Sequence, residues 1–186
     1  MKKSSKARLI KGFRNGETTT FIRNYFKLKG MKEQIAILPP LPIVGTLKLT
    51  SLDGESLHQI EVIKSPHKID RINLSPFFKN CFQELQAYLD GKSKKIEIMA
   101  CITALSPFQK EVLEVMAKIP YGKKQSYKEL AESLNTKAYQ AVGAACGKNP
   151  LLLIYPCHRV IGSKGPGGFA HGLDMKRKLW QLEGQD

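Results

Sequence analysis

Residues 149–172 read NPLLLIYPCHRVIGSKGPGGFAHG. Asn149-Pro150 turns the chain, the apolar run at 151–155 is expected as a short buried strand, and Pro156 stops that strand one residue before Cys157. Behind the cysteine stand His158, Arg159 and Val160, and then a glycine-rich loop at 162–172. A cysteine beside a histidine is ordinary by itself, because most intracellular cysteines are buried and inert. Here the thiol is pinned on a tight turn between ordered elements and faces a loop whose glycines let a ligand approach the backbone. That placement suits a nucleophile.

Upstream, Ser106-Pro107-Phe108-Gln109 is a capping box with proline at the first helical position, predicting a helix to about residue 118 that is ended by Pro120-Tyr121-Gly122. Ser126-Tyr127-Lys128-Glu129 is a second capping box, opening a short helix through residue 134. Asn135-Thr136 then caps a third helix expected over 137–147. Two short helices joined by a tight turn read as a helix-turn-helix. The third is rich in small residues, with Ala138, Ala141, Gly143, Ala144, Ala145 and Gly147. Such a helix either packs closely on a neighbour or lets the protein lie close in a nucleic-acid groove, and sequence alone leaves both readings open.

Earlier still, 43–51 and 56–63 are β-rich runs around Asp53-Gly54, a hairpin signal. Ser75-Pro76 starts an amphipathic helix with apolar positions Phe77, Phe78, Phe82, Leu85, Tyr88 and Leu89, ending at Gly91, and its aromatics are read as core. Residues 96–102 are a short buried-strand candidate, and Pro39-Pro40-Leu41-Pro42 reads as an extended linker. The expected organisation is a basic arm at 1–35, a small α/β domain at 36–104, and a mainly helical helix-turn-helix domain at 105–186.

The 186 residues, 42% of them hydrophobic, carry a net charge of +14. Ten Lys/Arg against Glu17 alone fall in 1–32, eight against eight in 33–106, and twelve against seven in 107–186. A polyanion such as nucleic acid is the partner such a field favours, although a merely Lys-rich, soluble surface gives the same count. The acid-poor arm also has the composition of an organellar targeting sequence. No apolar run is long enough to span a bilayer, so no membrane association is expected. Cys81, Cys101, Cys146 and Cys157 match neither a disulfide framework nor a zinc motif, and His58, His67 and His171 form no ligand-like pairs. No metal is expected, and the compartment should be reducing: cytoplasmic, or nuclear in a eukaryote.

Taken in order, Ser106-Pro107-Phe108-Gln109, Ile119-Pro120-Tyr121-Gly122, Ser126-Tyr127, Ala141-Val142-Gly143, Asn149-Pro150, Pro156-Cys157-His158-Arg159-Val160, Gly168-Phe169-Ala170-His171-Gly172 and Leu182-Glu183-Gly184 resemble the methylated-DNA–protein-cysteine methyltransferases, the O6-alkylguanine-DNA alkyltransferases. The likeness covers roughly residues 106–184, and the first half matches in outline only. It implies a ribonuclease H-like first domain and a winged helix-turn-helix second domain. It implies repair by irreversible transfer of an alkyl group from guanine O6 to Cys157, with no cofactor, because the donor is DNA and the acceptor is the protein. The partner would be double- or single-stranded DNA containing O6-alkylguanine, met by a free monomer.

The resemblance also assigns roles. Cys157 would lose its proton through water to His158, which Glu183 orients, and Tyr127 would address the guanine; read alone, Tyr127 is only the first residue of a capped helix. The backbone at Cys157 and Val160 and the amide of Ala170 would read the base, Asn149 would hold the turn, and Phe169 would wall the alkyl group. The small-residue helix, with Ala138, Ala141 and Gly143, would lie in the minor groove, while Lys128, Lys137, Lys148, Ser163 and Lys164 could meet phosphates or simply face solvent. Arg159 and Pro156 are read as structural. Two departures stand out: Gln140 replaces the arginine expected before Ala-Val-Gly, and His171 replaces a common glycine. An alternative is a damage sensor that binds alkylated DNA without transfer, although such relatives lack the cysteine. An ordinary regulator would need more base-reading side chains than Gln140 on that helix.

Overall fold

The computed structural model describes residues 33–64, 74–102 and 104–185, so most of the expected basic arm and His67 lie outside the described residues. The protein is an α/β fold with small sheets and, among the described residues, five α-helices. None of these helices is long and apolar enough to cross a membrane.

A three-stranded antiparallel sheet opens the fold, with β1 Gln34–Ile37, β2 Thr46–Ser51 and β3 Gln59–Ile63 in that order across it. Register is set by Gln34 opposite Ser51 and by Thr46 opposite Ile63. β1 is not evident from sequence and straddles the expected boundary at 35, because on this short strand only Ala36 is buried and the apolar signal is weak. The proline-rich segment after it is not an extended linker. Leu38 and Leu41 are buried, and Leu41 and Gly45 exchange backbone hydrogen bonds of 2.9 Å around a tight turn. Ile43 in that turn has φ of 66°, which ends any extended run and delays β2 to Thr46. The hairpin forms, but its connection is longer than Asp53-Gly54 suggests. Asp53 Oδ1 accepts from the amides of Glu55 and Ser56, coiling the loop so that β3 starts at Gln59 instead of residue 56.

The first helix, α1 Pro76–Leu89, is capped by Ser75 Oγ and buries Phe78, Cys81, Leu85, Tyr88 and Leu89 against the sheet side of the core. Residues 96–102 form no strand. Their one sheet-like link is a parallel bridge between Ala100 and Leu57, and Met99 projects outward at 70% exposure.

The second half follows its capping boxes. Helix α2 Pro107–Ala117 and helix α3 Tyr127–Ser133 begin where Ser106 and Ser126 predict, each box closed by Gln109 or Glu129. Helix α4 Tyr139–Gly147 starts two residues later than expected, since Asn135 takes a positive φ of 52° and Thr136 Oγ1 holds the Ala138 amide instead of capping a helix from 137. The 151–155 run is not a strand but a buried turn, with Leu153 at φ 72° and Tyr155 N donating to Leu151 O. Cys157–Arg159 is one 3-10 turn, leading into β5 Val160–Ile161, which pairs in parallel with β4 Gln125–Ser126. Helix α5 Leu173–Leu182 closes the chain and has no side-chain N-cap to announce it.

Two apolar cores result. Val112, Leu113, Met116, Leu130, Val142 and Val160 fill the second. Leu151, Leu152, Leu153 and Leu179 instead join the first, among Leu38, Leu47, Leu49, Leu57 and Leu85. The cysteine turn is thus built on the floor of both cores.

Candidate active site

Cys157 is placed by what precedes it. Asn149 donates through Nδ2 to Tyr155 O at 2.7 Å and to Cys157 Sγ at 3.4 Å, and its Oδ1 accepts from Leu151 N at 3.0 Å. One amide side chain therefore ties the start of the buried turn to its end and hands the sulfur a donor. Pro156 precedes the 3-10 turn as its N-cap residue, and Cys157 N donates to Tyr155 O at 2.8 Å.

The sulfur lies at a cavity of about 330 Å³ that is also lined by Tyr127, Gly143, Asn149, Phe169 and Ala170. Elements far apart in sequence thus bring five of the expected residues to Cys157. His171 lines the same cavity, edge-on to Phe169 with ring centroids 5.6 Å apart. Tyr127 lies over two glycines: a Cβ on Gly143 would sit 3.8 Å from its ring, and one on Gly167 only 3.0 Å. The remaining expected contacts do not line this cavity. Lys128, Ala138, Gln140, Ala141 and Ser163 are exposed, as are Lys137, Lys148 and Lys164. Val160 is buried, and its carbonyl accepts from Lys176 Nζ at 2.6 Å.

Behind the cysteine lies a polar network centred on the buried His158, Arg159 and Glu183. His158 Nε2–H donates to Glu183 Oε1 at 2.6 Å, and neither side chain is exposed. His158 Nδ1 has no protein hydrogen-bond partner among the described residues. Arg159 grips Glu183 through Nε at 3.1 Å from each oxygen and Nη2 at 3.0 Å from Oε1, while its Nη1 donates to Ile119 O at 2.7 Å. Gly122 N donates to Glu183 Oε2 at 3.0 Å, and the Tyr88 hydroxyl donates to Oε1. Trp180 Nε1 fixes the His158 carbonyl at 2.7 Å.

These surroundings set proton affinities. Burial alone would raise the Glu183 carboxyl, but hydrogen bonds from His158, Arg159 and Tyr88 and the charge of a protonated His158 hold it down to about 2. Burial pushes His158 below its ordinary value; Glu183 opposes that shift, while Arg159 and Lys176 add to it. Burial pushes the Cys157 thiol up, against the Asn149 hydrogen bond, the Lys176 charge and the amides of Cys157 and His158. Burial also raises the Tyr127 hydroxyl, partly offset by a hydrogen bond from the Gly168 amide. The resting site is therefore a neutral thiol near a neutral imidazole whose other nitrogen is held by a carboxylate. That is the order of nucleophile, base and orienter.

Two contributors escape sequence reading. Lys176 is wholly buried, and its ammonium donates to Val160 O and Pro166 O, each at 2.6 Å, and to Gly168 O at 3.1 Å, fastening the glycine loop to β5. Burial holds it down to about 8, while the nearby Cys157 and Cys146 sulfurs favour its charge. In sequence it stands beside Arg177 and Lys178, where it reads as solvated charge. Tyr88 is the other, counted as core because its helix is amphipathic.

Comparison with known proteins agrees with this geometry. Residues 107–185 match the family described as 6-O-methylguanine DNA methyltransferase, DNA binding domain. A methylated-DNA–protein-cysteine methyltransferase of Methanosarcina barkeri is 38% identical over 146 residues, spanning 75% of this chain and 91% of that protein. One from Saccharolobus islandicus is 43% identical over 107 residues, 58% of this chain and 70% of that one. The crystal structure of Mycobacterium tuberculosis OGT in complex with DNA superposes with a TM-score of 0.69 at 30% identity, covering 80% of this chain and 91% of that chain. With a half-buried cysteine on a glycine-walled cavity, a buried histidine and glutamate behind it, and relatives of this extent, the chain belongs to the methylated-DNA–protein-cysteine methyltransferase family.

Proposed function

We propose that the protein repairs DNA directly, moving the alkyl group of an O6-alkylguanine onto Cys157 once per molecule. The observation that carries this reading is the Cys157 cavity backed by the His158–Glu183 pair.

Transfer is an in-line displacement at the alkyl carbon, so it needs a thiolate, and the Cys157 thiol is pushed up by burial. Its proton passes through a bridging water to His158 Nδ1, and the imidazolium that forms is stabilised through Nε2–H by Glu183. The sulfur then bonds to the alkyl carbon as the carbon–O6 bond breaks. The electron pair left on guanine spreads into the ring, which takes a proton from Tyr127, and the proton held on His158 returns through water to restore the Tyr127 hydroxyl, so that the thiol's proton ends on the base. Asn149 and Lys176 favour the sulfur's negative charge. The thioether is not reversed, so each molecule acts once, and no cofactor is required because the donor is DNA and the acceptor is the protein.

A base inside a duplex reaches the cavity only by flipping out, at a cost of a few kcal/mol that is smallest for damaged pairs. Helix α4, with Gln140 and Ala141 exposed, is the face offered to the minor groove. Helices α3 and α4 act as the helix-turn-helix, and the 162–172 loop beyond β5 as its wing, with Lys128 and Ser163 at phosphates. The first sheet with α1 corresponds to a ribonuclease H-like domain ending near 104, and the protein works as a cytoplasmic monomer.

The test is to incubate the protein with an oligonucleotide containing O6-methylguanine and to map the adduct by mass. One methyl on Cys157, absent from Cys157→Ala, is expected. No adduct, or one on another residue, overturns the reading, and retarded mobility without transfer would favour a lesion-binding protein.

A further inference from the structure

The carboxylate that orients His158 is shared between the two halves of the protein. Tyr88, on α1 and only 1% exposed, donates its hydroxyl to Glu183 Oε1, the oxygen that also receives His158 Nε2 at 2.6 Å. Arg159 Nη2 lies 3.3 Å from the same hydroxyl, which closes the ring of partners. The Tyr88 ring is braced edge-on by Tyr121 at 5.9 Å, and Tyr121 OH donates to Leu182 O next to Glu183. A phenylalanine would fill this apolar position equally well, so burial does not explain the hydroxyl.

We propose that Tyr88 is a positioning residue for the transfer reaction: by donating to the Glu183 oxygen that holds His158, it sets the pull of the imidazole on the Cys157 proton. The inference rests on the repair reading above. A donor on Oε1 drains negative charge from the carboxylate and so weakens its support of the imidazolium. The groups facing His158 are Glu183 and Lys176 from the C-terminal helix and its end, Arg159 and Cys157 on its own segment, and Tyr88 through Glu183. Of these, Tyr88 alone comes from the first half of the chain. The first half is then more than a support for the second: it adjusts the base.

The experiment is single-turnover transfer from an O6-methylguanine oligonucleotide as a function of pH, with NMR titration of the His158 ring alongside. In Tyr88→Phe the carboxylate keeps more charge, the imidazolium is better held, and the acid limb of the rate profile moves to higher pH by roughly half a unit or more. The plateau stays within about threefold of wild type. Incorporating 3-fluorotyrosine at position 88, which keeps the shape and strengthens the donor, moves the midpoint the other way; this arm stands even where Tyr88→Phe does not fold. A rate lowered equally at every pH with an unmoved midpoint means a merely structural tyrosine and overturns the inference. Wild-type protein that transfers nothing overturns the repair reading and takes this inference with it, whereas transfer with an unmoved His158 midpoint removes the inference alone.

Discussion

Replacing Glu183 with glutamine keeps the shape of the side chain, removes its charge and turns one acceptor into a donor that faces His158, Arg159, Tyr88 or Gly122. The loss can be sized in two ways. The carboxyl is held at about 2 against 4.5 for an ordinary glutamate, and at about 1.4 kcal/mol per pH unit this amounts to about 3 kcal/mol of native-state preference for the ionised form. Independently, breaking a buried ion pair by removing one partner costs about 3–5 kcal/mol, because the other charge, here Arg159, stays buried without its counterion. Both routes meet near 3 kcal/mol. Because the folded-state value is depressed, this stability is fully present above about 4.5 and is lost as pH falls toward about 2. Urea unfolding of wild type and Glu183→Gln should therefore differ by about 3 kcal/mol at neutral pH, with the gap closing across that acid window. A gap below about 1 kcal/mol at neutral pH, or one that persists unchanged near pH 2, would refute the account of Glu183 as the charge hub of the site.

Lys176→Met takes the donor from three carbonyls and removes an ammonium held down to about 8 against 10.5. Wild type should gain on the variant by about 3 kcal/mol as pH rises from about 8 toward 10.5, since over that window the unfolded chain binds the extra proton; parallel stability curves would dismiss the buried cation. At Gly167, φ is 68° and a Cβ would lie 2.9 Å from Gly162 N, so Gly167→Ala is expected to lose roughly 2 kcal/mol in thermal unfolding and to slow transfer by displacing Tyr127. A variant with wild-type rate would show that the close approach is without consequence. Gln140 is exposed on α4, so Gln140→Arg should speed repair of duplex severalfold while leaving single strands unchanged, read as paired single-turnover rates. Equal effects on both substrates would separate Gln140 from base flipping.

The parts of this fold that sequence announces are those decided locally. Ser75, Ser106 and Ser126 each satisfy an amide three residues on, so α1, α2 and α3 start where their caps predict. Apolar runs are less informative, because hydrophobicity reports burial and not backbone shape. Leu151, Leu152 and Leu153 are buried as expected, yet Leu153 takes a positive φ and the run is a turn. The two-residue strands β4 and β5 are too short to leave a pattern. At the site, Cys157, Asn149 and His158 stand within ten residues and are legible together. Tyr88 and Lys176 are not, since their roles depend on acceptors brought from 95 residues away in one case and on three backbone carbonyls in the other.

The placement of Leu151, Leu152, Leu153 and Leu179 in the first core bears on modular exchange. A graft that kept only residues from 105 onward would carry four leucines made for another half's interior, each worth about 1.5–3 kcal/mol when buried. It would also leave Glu183 without its Tyr88 partner. Shuffling first halves among such proteins therefore succeeds only for donors that bring a socket for the leucine turn, and a donor without a hydroxyl at the position of Tyr88 would give a protein whose pH profile is displaced. In the language of gene fusion, the recombination seam of this chain does not coincide with the segment that joins α1 to α2.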